Sequence, residues 1–208
     1  MPSIPHRLCI EDYLRHMIKG LILTGGLSSR MGYDKYNIAY HGMPQYQHLQ
    51  RLFNEVGLET WLSISHDQKS NFPGEKRLVI DEYEARGPIG GILSAMHQFP
   101  GSPWLVVACD LPLINESHFQ QLLNNRLPDH QVVTYQVHPK FYETTCTLYE
   151  AEAEPMLLDS FKNGKGSLQQ ALRQLNVKTL KPSDVNDLTN VNSPEEYQQY
   201  VQERKKPW

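Results

Sequence analysis

Gly20-Leu21-Ile22-Leu23-Thr24-Gly25-Gly26-Leu27-Ser28-Ser29-Arg30-Met31-Gly32-Tyr33-Asp34-Lys35 holds a short apolar run, a turn with three glycines and two cations. The continuous apolar run Gly20-Leu21-Ile22-Leu23, within a strand read from Ile18 to Leu23, predicts a strand covered on both faces. The glycines keep the following backbone close to whatever binds there, and successive exposed N–H groups in such a turn form an anion nest. Arg30 adds a planar fork and Lys35 a point charge. Together they suit a triphosphate and the negative charge of a departing pyrophosphate. The string is not a P-loop, because Tyr33 follows Gly32 where Lys-Ser/Thr is required. Nor is it a dinucleotide fingerprint, because Gly25-Gly26 has the wrong spacing.

Outward from this string, strands and helices alternate. Tyr46, Leu49, Leu52, Phe53 and Val56 recur at helical spacing after Pro44. Residues 61–64 and 77–80 read as strands. Pro88 opens a helix striped by Ile89, Ile92, Leu93 and Met96, and proline suits a first turn whose N–H groups lack partners. Residues 104–109 form the most apolar strand, followed by a helix with Phe119, Leu122 and Leu123. Later, residues 131–135 and 144–149 read as strands, and Leu168, Leu172 and Leu175 mark a helix. Ser193-Pro194-Glu195-Glu196 is a capping box before a closing helix with Tyr197, Tyr200 and Val201. This order predicts an α/β fold with a mostly parallel central sheet and helices on both faces. Residues 18–208 read as a single domain. Residues 1–17 allow two readings: a start at Met17 with an annotated extension before it, or a short helix over 10–16.

Ligands of such sheets bind outside the carboxyl ends of the strands. That rule selects the loops after Leu23, Ile80 and Cys109. Asp110 ends the most buried strand, and Mg²⁺ prefers one or two carboxylates with phosphate oxygens and water. Asp110 therefore reads as a metal ligand, against the alternative of a helix-capping Asp-x-Pro. Asp81 ends another strand, where it reads as a contact to the nucleotide's base or ribose, against a solvated strand-end charge. Gly87, Gly90 and Gly91 let the next helix approach a ligand closely.

Bulk properties exclude other classes. Among 208 residues, 20 basic and 23 acidic side chains give a formal charge of −3, so no broad basic field attracts nucleic acid or an anionic membrane. No apolar run approaches the roughly 20 residues of a membrane span, and no secretory pattern opens the sequence. Cys9, Cys109 and Cys146 are odd in number and scattered, which fits a reducing cytoplasm and no disulfide framework. His66, His97, His118 and His138 lack metal-site spacing and read as surface or core polar residues. Gly164-Lys165-Gly166-Ser167 reads as an N-cap at Ser167, with a second anion or acceptor contact by Lys165 as the alternative. Tyr135, Tyr142 and Tyr149 read as strand packing rather than a pterin platform.

Leu23-Thr24-Gly25-Gly26, Ser29-Arg30-Met31-Gly32 and Asp34-Lys35 together resemble the signature of the MobA-like nucleotidyltransferases, the molybdenum cofactor guanylyltransferase family. Gly87-Pro88-Ile89-Gly90-Gly91-Ile92, Cys109-Asp110-Leu111-Pro112 and Asn190-Val191-Asn192-Ser193-Pro194-Glu195-Glu196 resemble its later motifs in the same order. The resemblance covers roughly residues 18–201. It implies a three-layer α/β/α Rossmann-like nucleotidyltransferase fold and Mg²⁺-dependent transfer of GMP from GTP to molybdopterin, releasing pyrophosphate. By position it implies that Leu23, Thr24, Gly25, Gly26 and Lys35 hold GTP, Asp81 contacts the nucleotide, and Asp110 binds Mg²⁺ and the phosphates. Arg30 would face the phosphates, making Arg30, Lys35 and Asp110 the catalytic set, and Asn192 would lie near the metal or acceptor. Transient contacts with other cofactor-assembly proteins follow from the same resemblance. The chain departs from the family at Thr24, at Ser65-His66, and at Thr144-Thr145-Cys146, where a Pro-Leu-Cys-like run is expected. Rival readings are a cytidylyltransferase or sugar-phosphate nucleotidyltransferase sharing the first motif, and a GTP-binding module without catalysis.

Overall fold

A computed structural model describes residues 17–25, 35–83, 87–164, 167–191 and 193–204. Both readings of residues 1–17 therefore turn on segments outside the described residues, as do Gly26, Arg30, Lys165 and Asn192. The described strands are β1 (Lys19–Leu23), β2 (Glu59–Ile64), β3 (Leu78–Ile80), β4 (Trp104–Ala108), β5 (Val132–His138), β6 (Phe141–Tyr149) and β7 (Val177–Leu180). They form one sheet in the order β3-β2-β1-β4-β6-β5-β7. β1 runs parallel to β2 and β4, β2 parallel to β3, and β5 parallel to β7. β6 runs antiparallel to both its neighbours, β4 and β5.

Helices α1 (Gln45–Glu55) and α3 (Glu116–Asn124) cover one face of the sheet. Helices α2 (Pro88–Gln98), α4 (Glu154–Lys162) and α5 (Leu168–Leu172) cover the other, and α6 (Pro194–Arg204) closes the chain. The alternation of strand side chains separates two cores. Ile22 of β1 packs with Leu49, Phe53, Leu62, Val107 and Phe119 on one side. Leu21 and Leu23 pack with Ile89, Ile92, Met96 and Val106 on the other. Every residue of β4 is buried, as its unbroken apolar run requires. Phe53 and Phe119 stack with centroids 4.5 Å apart, tying α1 to α3. A methyl group on Gly20 would lie 2.7 Å from the Phe53 ring, so the glycine admits that ring against the strand.

The second half holds two elements that periodicity did not announce. In helix α4 Leu157 is buried and Leu158 and Phe161 pack beside it, a stripe of little more than one turn. β7 is a four-residue strand at the sheet's edge with no fully buried residue. The closing helix starts as its sequence predicts: the Ser193 hydroxyl accepts a hydrogen bond from the Glu196 amide at 3.1 Å. Ser167 caps α5 by position, but its side chain makes no capping bond.

β1 is the switch point of the sheet, since the chain leaves it for β2 on one side and later returns to β4 on the other. The loops after β1 and β4 therefore diverge at adjacent carboxyl ends, opening a crevice.

Candidate active site

The β1 strand delivers its turn into a small hydrogen-bonded cluster. The Thr24 amide and hydroxyl both donate to the Ser63 carbonyl, at 3.2 and 2.6 Å. The Ser63 hydroxyl donates to Asp81 Oδ1 at 2.7 Å, and the Asp81 amide donates to Ile64 at 2.9 Å. A side chain on Gly25 would come within 3.7 Å of Asp81 Oδ2. Thr24, Gly25, Ser63 and Asp81 thus converge from three adjacent strand ends.

The start of α2 presses against this cluster. A methyl group on Gly91 would sit 2.2 Å from the Ser63 hydroxyl, and one on Gly90 would sit 2.2 Å from the Tyr83 carbonyl. Neither position tolerates a side chain without moving Ser63 or the Tyr83 backbone. Gly87 takes a φ of 69°, a left-handed conformation that favours glycine, and Pro88 begins the helix after it. Residues 84–86 between Asp81 and this turn lie outside the described residues.

Asp110 follows β4 at the centre of the crevice. Its Oδ2 lies 3.7 Å from Lys35 Nζ, while its Oδ1 is buried with no hydrogen-bond partner among the described residues. Burial pushes the Asp110 carboxyl above the usual carboxylate range, and the Lys35 ammonium offsets that only in part. A buried, unpaired carboxylate oxygen is costly unless something positive meets it. The arrangement fits a divalent cation completed by phosphate oxygens and water. Among the described residues no group of three His, Cys, Asp or Glu side chains could form a cage, as is usual where phosphates supply most ligands to Mg²⁺.

The Asp110 carbonyl accepts from the Val191 amide at 2.8 Å, and the Val191 carbonyl accepts from the Tyr40 hydroxyl at 3.0 Å. His41 Nε2 lies 2.8 Å from the Pro112 carbonyl. These bonds strap the segment around residue 190 to the loop after β4. Asn190 consequently lines the same cavity as Asp110, of about 430 Å³, together with Leu23, Gly25, Gly87 and Pro88. Tyr142, Glu143, Thr144, Thr145 and Gln169 form its opposite wall. Another hollow, of about 370 Å³, lies between α1 and β2. Its polar groups satisfy one another, with Arg77 on Glu59 at 2.8 Å and Gln50 on Glu75 at 3.1 Å.

Of the site residues the sequence selects, Leu23, Thr24, Gly25, Lys35, Asp81 and Asp110 gather at one end of the sheet. Gly26, Arg30 and Asn192 lie outside the described residues. Sequence reasoning passed over Ser63, Asn190 and Glu143. Ser63 carried a signal, being a hydroxyl inside an apolar strand, and Asn190 opens a motif of which only Asn192 was selected. Glu143 is a charged residue entering a β-rich run, and it is only 9% exposed. Tyr135 and Tyr149 pack in the interior as expected, whereas Tyr142 also lines the cavity. His118 is buried 3.5 Å from Asp187, and His97 meets Glu82 at the surface, so both are structural. Cys109 and Cys146 are buried free thiols, and no described helix is long and apolar enough to cross a membrane.

Residues 20–179 match the family model of the MobA-like NTP transferase domain. The chain is 34% identical over 190 residues to a molybdenum cofactor biosynthesis bifunctional protein of Synechocystis, covering 90% of this chain and 55% of that protein. It thus spans about half the length of that relative. It is 30% identical over 181 residues to a molybdenum cofactor guanylyltransferase of Pseudomonas entomophila, covering 84% of this chain and 93% of the relative. In structure it resembles molybdopterin-guanine dinucleotide biosynthesis protein A of Archaeoglobus fulgidus, with a TM-score of 0.73 at 18% identity, covering 89% of this chain and 99% of that one. With the crevice at the β1–β4 switch point and a family match across most of its length, the chain belongs to the MobA-like NTP transferase family.

Proposed function

We propose that this protein transfers GMP from GTP to the terminal phosphate of molybdopterin, releasing pyrophosphate. The observation that carries the reading is the pairing at the crevice: a buried Asp110 oxygen with no hydrogen-bond partner among the described residues, on a carboxylate beside Lys35, the last residue of the glycine-rich string. The names of the full-length relatives support GMP as the group and molybdopterin as the acceptor.

The acceptor's phosphate is already an anion near neutral pH, so its oxygen attacks the α-phosphorus of GTP without a strong base. The bond to the β-phosphate oxygen breaks, and the electron pair leaves with pyrophosphate. Positioning and electrostatics carry most of such a transfer. Leu23, Thr24, Gly25 and Gly26 hold the phosphates against the turn's amides. Lys35 and Arg30 neutralise charge that grows on the leaving group. Asp81, oriented by Ser63, contacts the nucleotide. Asp110 holds Mg²⁺, which supplies charge neutralisation at the phosphates. Asn192 follows Val191, which is bonded to the Asp110 carbonyl, and its proposed role is at the metal or the acceptor. A role in cytoplasmic cofactor assembly, with transient contacts to other assembly proteins, accompanies this reading.

Melting curves with GTP, ATP, CTP and UTP, each with and without Mg²⁺, test it. A nucleotide at a hundred times its Kd adds about 2.7 kcal/mol of stability. A Mg²⁺-enhanced shift selective for GTP, followed by pyrophosphate release on adding molybdopterin, is the expected result. A shift selective for CTP or UTP would move the protein to the cytidylyl- or sugar-phosphate transferases. GTP binding with no pyrophosphate release would make it a binding module.

A further inference from the structure

The wall opposite the glycine-rich turn is built with more care than a strand edge requires. Along β5 and β6, Thr134 pairs with Thr147 and Gln136 pairs with Tyr142. Residues 143–146 therefore oppose the single residue Tyr135 in a wide bulge, a device that re-aims side chains near active sites. The bulge is pinned on all sides. The buried hydroxyls of Thr134 and Thr147 both donate to the Glu143 carbonyl. The Tyr149 hydroxyl donates to the Thr144 carbonyl at 2.8 Å. Gln169 bonds both backbone groups of Tyr142, accepting at 3.1 Å and donating at 2.6 Å.

This scaffold holds one carboxylate. Glu143 Oε1 accepts from both the amide and the hydroxyl of Thr145, each at 2.7 Å. No side chain among the described residues hydrogen-bonds Oε2, and the residue lines the cavity beside the half-buried ring of Tyr142. A fixed carboxylate repels phosphate, so this wall does not take the phosphates that Lys35 and the glycine-rich turn attract. Thr145 fills Oε1 with two donors and the Cys146 amide also bonds the carboxylate, so the acceptor capacity left suits an N–H donor better than a metal needing several oxygens. β6 lies beyond β4 from the Asp81 cluster, so the wall stands on the side away from the nucleotide contacts.

We infer that Glu143, oriented by Thr145 and flanked by Tyr142, recognises the N–H donor edge of a flat heterocycle on the acceptor and so sets acceptor specificity. The inference rests on the proposed acceptor being a pterin phosphate, whose 2-amino group and ring N–H form such an edge. The carboxylate accepts the donors while the tyrosine ring offers a face.

Ligand-observed NMR titration of the intact protein with 6-hydroxymethylpterin, and with its lumazine counterpart lacking the 2-amino group, tests the inference without turnover. The wild type is expected to favour the pterin by about tenfold or more, as for a hydrogen bond to a charged group. Glu143→Gln and Glu143→Ala should abolish that preference while leaving the GTP–Mg²⁺ melting shift unchanged. Thr145→Val, which removes the hydroxyl donor and keeps the amide, loosens the carboxylate and should reduce the preference. Equal binding of the two heterocycles by wild type, or an undiminished preference in both Glu143 variants, overturns the inference. So does a loss of GTP or Mg²⁺ affinity in those variants, which would place Glu143 on the nucleotide or the metal. Absence of pyrophosphate release by wild type with GTP and molybdopterin would instead overturn the proposed function, and the heterocycle preference would still be readable.

Discussion

The two walls of the cavity are made in different ways. On the β1–β2–β3 side, short contiguous strings supply the site: Leu23 to Lys35 is one string of sequence, and Asp81 stands where one strand stops. Parallel strands with all their carboxyl ends together turn such strings into a pocket automatically. On the β6 side, nothing local places Glu143 in the cavity. Its position depends on β6 running against β4, on a bulge opposite Tyr135, and on Gln169 arriving from α5. The first wall is encoded by sequence neighbours and the second by long-range pairing.

If that division is right, substitutions on the two walls separate in their kinetics. The largest effect is expected at their junction. Asp110→Ala should lower kcat about 10²–10³-fold, the range for losing a main electrostatic contact in the transition state. Its ligand-free melting temperature should not fall, because burial already disfavours the ionised Asp110. Steady-state turnover close to wild type would remove Asp110 from the metal site. Ser63→Ala should act on one wall alone. Loss of the 2.7 Å bond to Asp81 should raise KM for GTP about tenfold, with kcat and acceptor KM unchanged. A change in acceptor KM would break the separation between the walls.

The smallest effect concerns pH. Burial raises the carboxyls of both Asp110 and Glu143, so the folded protein holds these protons more tightly than the unfolded chain. Their contribution to ligand-free stability is full below the ordinary carboxylate range and is lost as pH rises through the raised values. Denaturant titrations between pH 4 and pH 7 should show this decline, and Asp110→Ala should flatten part of it. Proton and metal compete for Asp110, so the Mg²⁺-dependent melting shift should fade on acidification at a higher pH than an ordinary carboxylate would give. A shift independent of pH across that window would contradict the assignment.

The same contrast explains how much was legible in the sequence. The β-α-β order, the crevice after β1 and β4, and the placement of Asp81 and Asp110 at strand ends follow from apolar runs that end in glycine or aspartate. Helix α4 escaped because its stripe of Leu157, Leu158 and Phe161 spans little more than one turn, and β7 because a short edge strand needs little apolar content. Thr144-Thr145-Cys146 read as a departure from the family pattern. In the fold, Thr145 is the residue that fixes Glu143, and Thr144 is held by Tyr149. No periodicity reveals a residue whose orientation is set by a bulge.

Over residues 147–149, β6 is paired along both edges, by β4 on one side and β5 on the other. A one-residue slip would turn every side chain on it to the opposite face and would break two ladders at once. The bulge that grows from this doubly paired stretch is held by Thr134, Thr147, Tyr149 and Gln169, so it is a fixed platform rather than a closing jaw. On the proposed reading, residues 142–145 are then the compact cassette to redesign when a different acceptor is wanted.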